Sequence, residues 1–149
     1  MDGPLDTSKY VSILKELVEE GQEVSLTVVG NSMSPFLHHL KDKIFFAAPD
    51  EPLKKGDMVF YQRASGRFVM HRIAKVKADG YYMVGDAQTA IEGPLSREQI
   101  FAKITKVERK GRMLTEGDFL WSFFRGPWLW IRPLRPAIFK VYGWIRRQK

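Results

Sequence analysis

Apolar and polar residues change their period several times along the chain, and the changes mark the elements. Between residues 7 and 21, Val11, Leu14, Leu17 and Val18 recur at helical spacing, while Lys15, Glu16, Glu19 and Glu20 fall off that stripe. Thr7 or Ser8 is suited to cap this helix and Gly21 to end it, and the stripe predicts docking on a larger body. From residue 24 the period shortens. Residues 24–29, 43–48, 58–62, 67–77, 81–84 and 101–107 read as short strands rich in β-branched and aromatic residues. Turn formers separate them, among them Pro49, Gly56-Asp57, Ala64-Ser65-Gly66 and Lys110-Gly111. Short strands with turns roughly every ten residues predict a mainly β, antiparallel fold.

Beyond residue 118 the pattern changes again. Phe119, Leu120, Trp121, Phe123, Phe124, Trp128, Leu129, Trp130 and Ile131 crowd together, broken by Gly126-Pro127 and Arg132-Pro133. No apolar run there reaches the roughly 18 residues of a spanning helix. From Pro136, the residues Ile138, Val141, Tyr142 and Ile145 fall on one helical face beside Lys140, Arg146 and Arg147, the pattern of a helix lying in a lipid interface. The aromatic stretch has two other outlets: its own β body or a second copy, and a partner protein. The chain thus divides into an N-terminal helix (1–22), a β domain (23–117) and an amphipathic aromatic and basic tail (118–149).

Composition adds bounds. With 149 residues, 44% hydrophobic and 28% charged, the chain can bury one core and is not disordered over most of its length. Having no cysteine, it has neither a disulfide scaffold nor a thiolate zinc site. The net charge of +7 sits wholly in the tail. Seven of the 24 Lys and Arg lie beyond residue 120, where there is no Asp or Glu, leaving seventeen bases against seventeen acids elsewhere. That asymmetry suits an anionic partner for the tail and argues against nucleic acid as the partner of the whole protein. Met1-Asp2-Gly3-Pro4 lacks the features of a secretory signal, and no segment ahead of Ser32 is long and apolar enough to span a bilayer. The expected location is the cytoplasm, with the tail as a peripheral contact to the inner face of the membrane.

The candidate chemistry lies in three stretches. Gly30-Asn31-Ser32-Met33-Ser34-Pro35 follows the first strand and presents Ser32 as a nucleophile. A serine needs a base and a group to orient that base. Met70-His71-Arg72-Ile73 and Gly85-Asp86-Ala87-Gln88 supply an imidazole and a carboxylate. Taken singly, Ser32 reads as a backbone-capping serine and His71 as a structural strand histidine; taken together and in order they favour chemistry. His38 and His39 have no partner at ligand spacing and read as surface residues, and Met33 and Met70 as core or cleft-wall packing.

Residues 24–110 resemble the catalytic core of signal peptidase I and its relatives, the clan that includes the self-cleaving repressor proteases. Four stretches carry the resemblance in family order: Gly30-Asn31-Ser32-Met33-Ser34-Pro35, Leu53-Lys54-Lys55-Gly56-Asp57-Met58-Val59, Val69-Met70-His71-Arg72-Ile73 and Met83-Val84-Gly85-Asp86. The resemblance implies an antiparallel β fold with a serine endopeptidase site in a surface cleft, using neither cofactor nor metal. His71 stands where the type found in the endoplasmic reticulum and some archaea has histidine and the usual bacterial enzymes have lysine. It implies Ser32 as nucleophile and His71 as base. Imidazole needs only orientation for that role, whereas a lysine must first be desolvated. The histidine type carries a second acidic residue six positions after the Asp of its Gly-Asp motif. Glu92 has that spacing, one methylene longer than the family's Asp, and competes as the orienter with Asp86, whose other reading is a structural brace for the site.

The chain departs from the family pattern in having Gly30 where many relatives have a Ser or Thr that helps bind the oxyanion. Ser32's own N–H and the Asn31 amide are the donors left, and loss of one such donor costs roughly 10² to 10³ in rate. The expected function is a serine endopeptidase that cuts a peptide or precursor bound as an extended strand, for example in leader-peptide removal. The rival is a non-catalytic peptide- or membrane-binding module of the same fold. A self-cleaving repressor would bring a lysine base and a DNA-binding helix pair, and the sequence offers neither.

Overall fold

The computed structural model describes the backbone of residues 4–147 and the side chains of residues 9–144. Helix α1 spans Pro4–Glu19. It begins ahead of Thr7 and Ser8, which therefore lie inside the helix and not at its cap; proline suits a first turn, where its missing N–H has no acceptor to lose. Val11, Leu14 and Val18 are buried and Leu17 half-buried, so the apolar stripe faces inward.

Eight strands follow: β1 (Val24–Thr27), β2 (Lys43–Ala47), β3 (Met58–Gln62), β4 (Phe68–Lys77), β5 (Gly80–Val84), β6 (Glu92–Leu95), β7 (Ile100–Arg109) and β8 (Arg112–Leu114). Every pairing is antiparallel, in the order β1-β2-β7-β3-β4-β5-β6, with β8 also on β7. β7 is the hub: one edge pairs with β2, and the other takes β3 near its start and β8 near its end. The mainly β architecture is the one the strand pattern predicts. β6 was not readable as a strand because Gly93-Pro94 interrupts it. It sits at the edge of the sheet, where a residue without an N–H breaks no ladder.

Alternation along β3 and β4 splits the interior in two. Met58 and Phe60 point into a core shared with α1 and with Val28, Met33, Phe36 and Leu37 of the loop after β1. Val59, Tyr61 and Ile73 point to the other side, against Met83 and Ile100. The C-terminal segment adds α2 (Phe119–Arg125), α3 (Pro127–Trp130), a 3-10 turn at Arg132–Leu134, and α4 (Arg135–Arg147).

Trp121, Phe124 and Trp128 are buried in the first core, so most of the aromatic stretch packs on its own body. Phe36 meets Trp121 edge-on at 6.0 Å and Phe124 at 4.9 Å between ring centroids. Each such buried ring contributes roughly 1.5–3 kcal/mol. On α4 the buried face is set by Arg135 with Ile138 and Phe139, while Val141 is exposed. The lipid-facing stripe expected to include Ile138 is therefore rotated, and the Ile145 side chain lies outside the described residues. Among the described residues no helix is long and apolar enough to cross a membrane.

Candidate active site

The loop carrying Ser32 closes on itself before it meets anything else. Leu40 N donates to Val28 O, Val28 N to Asp42 O, and His38 N to Asp42 Oδ2 at 2.7 Å. Gly30 opens the serine turn at φ +92°, a conformation L side chains avoid, and its N–H donates to His39 Nδ1 at 2.7 Å. His39 is exposed, as read from the sequence, yet it ties down the start of the turn. Ser32 is half-buried and Asn31 exposed. Among the described residues Ser32 Oγ finds no hydrogen-bond partner.

His71 sits on β4 opposite Val59, which puts Tyr61 of β3 two residues along on the same face. Tyr61 OH lies 3.2 Å from His71 Nδ1 and donates to Glu92 Oε1 at 2.8 Å. A phenol has one proton, and here the carboxylate takes that hydrogen bond. Its oxygen must then accept from Nδ1–H, which assigns the tautomer and leaves Nε2 as the basic nitrogen. Glu92 is held in turn by a two-pronged contact from Arg63, Nε to Oε2 and Nη2 to Oε1, both 2.9 Å.

Burial pushes Glu92 upward, but hydrogen bonds from Arg63 and Tyr61 and the nearby positive charge outweigh it and hold the carboxyl below its usual range. Burial and the Glu92 hydrogen bond raise the Tyr61 phenol above its usual value. Burial also lowers His71, only 5% exposed, to about 4, with Glu92 opposing and Arg63 reinforcing the shift. The imidazole is thus neutral at physiological pH. With Arg63, Glu92, Met83, Ala87 and Phe139 it lines a cleft of about 530 Å³.

Strand register relates His71 to the serine turn only through β5. Ile73 pairs with Met83 and Arg72 with Val84, the last residue of β5, and Gly85 follows directly. A Cβ on Gly85 would stand 2.5 Å from Ser32 O, and Ala87 N donates to that same oxygen at 2.8 Å. Gly85 is therefore the spacer that lets the serine turn approach the end of β5, the strand paired with the one carrying His71. Ala87, whose N–H holds Ser32 O, lines the cleft with His71, while Ser32 itself is not among its lining residues and makes no Oγ hydrogen bond to His71.

Asp86 belongs to a different assembly. Both its oxygens are held by Arg72, Nε to Oδ1 at 2.9 Å and Nη2 to Oδ2 at 2.8 Å, with both side chains fully buried. Arg72 also donates to Gly56 O at 3.0 Å and lies over the Phe36 ring. Because neighbouring strand residues point to opposite faces, Arg72 and Asp86 turn away from His71. Of the two carboxylates read as orienters, Asp86 is a brace with no contact to the imidazole. Glu92 reaches His71 through Tyr61 and not directly.

The C-terminal segment holds the Gly85-Asp86 turn. Trp128 Nε1 donates to Asp86 O at 2.7 Å. Arg135, fully buried, donates from Nη1 to Gly85 O and Gln88 O and from Nη2 to Trp128 O, and stacks over the Trp128 ring. Burial lowers its pKa to about 10, with Asp86 opposing and Arg72 and Arg132 adding to the shift. Tyr61, Arg63, Trp128 and Arg135 are the site residues that sequence reasoning missed. Among the described residues no three His, Asp or Glu side chains converge as metal ligands would. Compared with family models, curated proteins and solved structures, the chain matches none.

Proposed function

We propose that this protein is a serine endopeptidase of the kind signal peptidase I resembles, in its histidine version. Ser32 is the nucleophile, His71 the general base and acid, and Tyr61 with Glu92 the positioning groups. The observation that carries this reading is the chain His71 Nδ1–H to Tyr61 to Glu92 on the wall of a cleft also lined by Ala87, whose N–H holds Ser32 O.

A peptide lying extended in the cleft presents its carbonyl carbon to Ser32 Oγ. As the Oγ–C bond forms, Nε2 takes the hydroxyl proton and the carbonyl oxygen becomes an oxyanion facing the Ser32 N–H and the Asn31 amide. The imidazolium is steadied by the Tyr61 oxygen and by the ionised Glu92 beyond it. Nε2 then gives its proton to the amine as the C–N bond breaks, leaving an acyl-serine. Water, deprotonated by the same nitrogen, releases the acid and restores Ser32. Catalytic hydrogen bonds are often long before substrate binds, so the unbonded Oγ fits a resting site.

The substrate class is a peptide precursor, as in leader removal, and the basic tail favours work at an anionic cytoplasmic membrane face. The test is mass spectrometry of a varied set of precursor peptides incubated with wild type and with Ser32→Ala. New termini made by the wild type alone support the reading; equal cleavage by both, or by neither, rejects it.

A second reading, a peptide-binding module without catalysis, is favoured by two observations: Ser32 Oγ touches no base, and Gly30 supplies no hydroxyl. It predicts peptides that bind the wild type and Ser32→Ala equally and emerge intact.

A further inference from the structure

The helix that walls the cleft has a second face, with a pattern of its own. Inward, Arg135, Pro136 and Phe139 of α4 line the cleft beside His71. Outward, Leu134, Ala137, Val141 and Trp144 are exposed and follow one another at spacings of three, four and three residues, a single stripe on the opposite side of the helix. Phe119 and Trp130 are also exposed, 81% and 82%, in a segment where Trp121, Phe124 and Trp128 are buried and Phe123 half-buried. Lys140 is exposed and Arg132 half-exposed beside them. After Asp118 the chain has seven bases and no acid; of these, Arg135 is buried on the inner face and Arg125 is ion-paired with Asp57 and Glu116, so among the described residues Arg132 and Lys140 carry the charge of the outer face.

We propose that this outer face docks on an anionic lipid surface and so holds the His71 cleft within about one helix width, roughly 10–12 Å, of the headgroups. The occupant is chosen by charge. A second copy docking through the same face would set two basic segments against each other, which is repulsive, whereas anionic headgroups complement the lysine and arginines while the Trp and Leu side chains enter the interface. The inference deepens the membrane-face part of the proposed function by naming the helix face that makes the contact; it does not need the catalytic part, because Ser32 takes no part in it.

The experiment sediments the full chain with vesicles of phosphatidylcholine alone and of phosphatidylcholine with phosphatidylglycerol. The protein should partition onto the anionic vesicles far more than onto the neutral ones, and added salt should reduce this. Arg132→Gln with Lys140→Gln should weaken partitioning about five-fold per residue, roughly twenty- to thirty-fold together. Trp130→Ser with Trp144→Ser should lower it roughly ten-fold or more. Both pairs are at the surface, and an unchanged melting temperature confirms that each variant folds. Ser32→Ala should bind vesicles as the wild type does, so that lipid binding and catalysis are tested independently. Absence from anionic vesicles, equal partitioning onto both kinds, or partitioning that neither pair weakens would overturn the proposal. A concentration-dependent dimer abolished by the tryptophan pair, with no vesicle binding, would replace lipid with a second copy.

Discussion

Replacing Tyr61 by phenylalanine removes one oxygen from the line joining His71 to Glu92, and the structure sets the size of the effect. At rest, Nδ1–H donates to a neutral phenol oxygen, a bond worth roughly 0.5–1.5 kcal/mol; once imidazolium forms, the same bond is charge-assisted and worth roughly 1.5–3 kcal/mol. The excess, about 1–1.5 kcal/mol, exists only in the transition state and corresponds to a rate loss of about five- to fifteen-fold. The ring itself stays packed among Val59, Ile73 and Met83, so no sizeable cavity opens. Leaving a buried Nδ1–H without an acceptor costs roughly 1–3 kcal/mol of stability, a fall in Tm of about 3–10 °C for a chain of this size. The rate of Ser32 modification by a fluorophosphonate measures the first effect without a known substrate, and calorimetry measures the second. Labelling as fast as in the wild type, in a variant that has lost stability, would refute the positioning role of Tyr61.

Other substitutions separate the remaining groups. His71 titrates near 4 in the folded chain against 6.5 for the free side chain. Between those values the unfolded chain holds a proton that the folded chain lacks, so the contribution of His71 to stability is full above about pH 6.5 and is lost as pH falls, by about 3 kcal/mol near pH 4. Urea titrations of wild type and His71→Gln at the two ends of that window should diverge by this amount, with the wild type losing more. Asp86→Asn leaves Arg72 buried without its partner and should cost roughly 3–5 kcal/mol in thermal unfolding while leaving the acid limb of the labelling rate where it was. Glu92→Gln should do the reverse, with little loss of stability at this part-exposed position but slower labelling and an acid limb moved to lower pH, because Glu92 raises the His71 pKa. Gly85→Ala sets a methyl 2.5 Å from Ser32 O, which should cost roughly 1–3 kcal/mol and displace the serine turn, seen as lost labelling in a protein that still melts cooperatively.

Much of the scaffold could be read from period alone. The stripe of Val11, Leu14 and Val18 and the alternation of β3 and β4 are burial patterns, and burial decided them. β6 was hidden because Gly93-Pro94 carries the signature of a turn, and only its edge position makes that sequence a strand. Tyr61 was recoverable in principle. The Ala64-Ser65-Gly66 loop fixes the β3–β4 register, and that register sets Val59 opposite His71 with Tyr61 on the same face. The roles of Asp86 and Glu92 could not be told apart by spacing, because what separates them is which face of the sheet each points to and which arginine reaches it. Arg135 had no signal at all. A cation near the start of an amphipathic helix reads as surface, and it is buried here only because the carbonyls of Gly85, Gln88 and Trp128 converge on it from distant parts of the chain.

The central claim is that His71 activates Ser32, and adduct mapping tests it most directly. The full chain is treated with a fluorophosphonate, digested, and the modified residue located by mass spectrometry, alongside Ser32→Ala and His71→Gln. One adduct is expected, on Ser32, absent from the first variant and formed roughly 10²-fold or more slowly in the second. No adduct on the wild type, or one on Ser32 that forms equally fast without the imidazole, would contradict it.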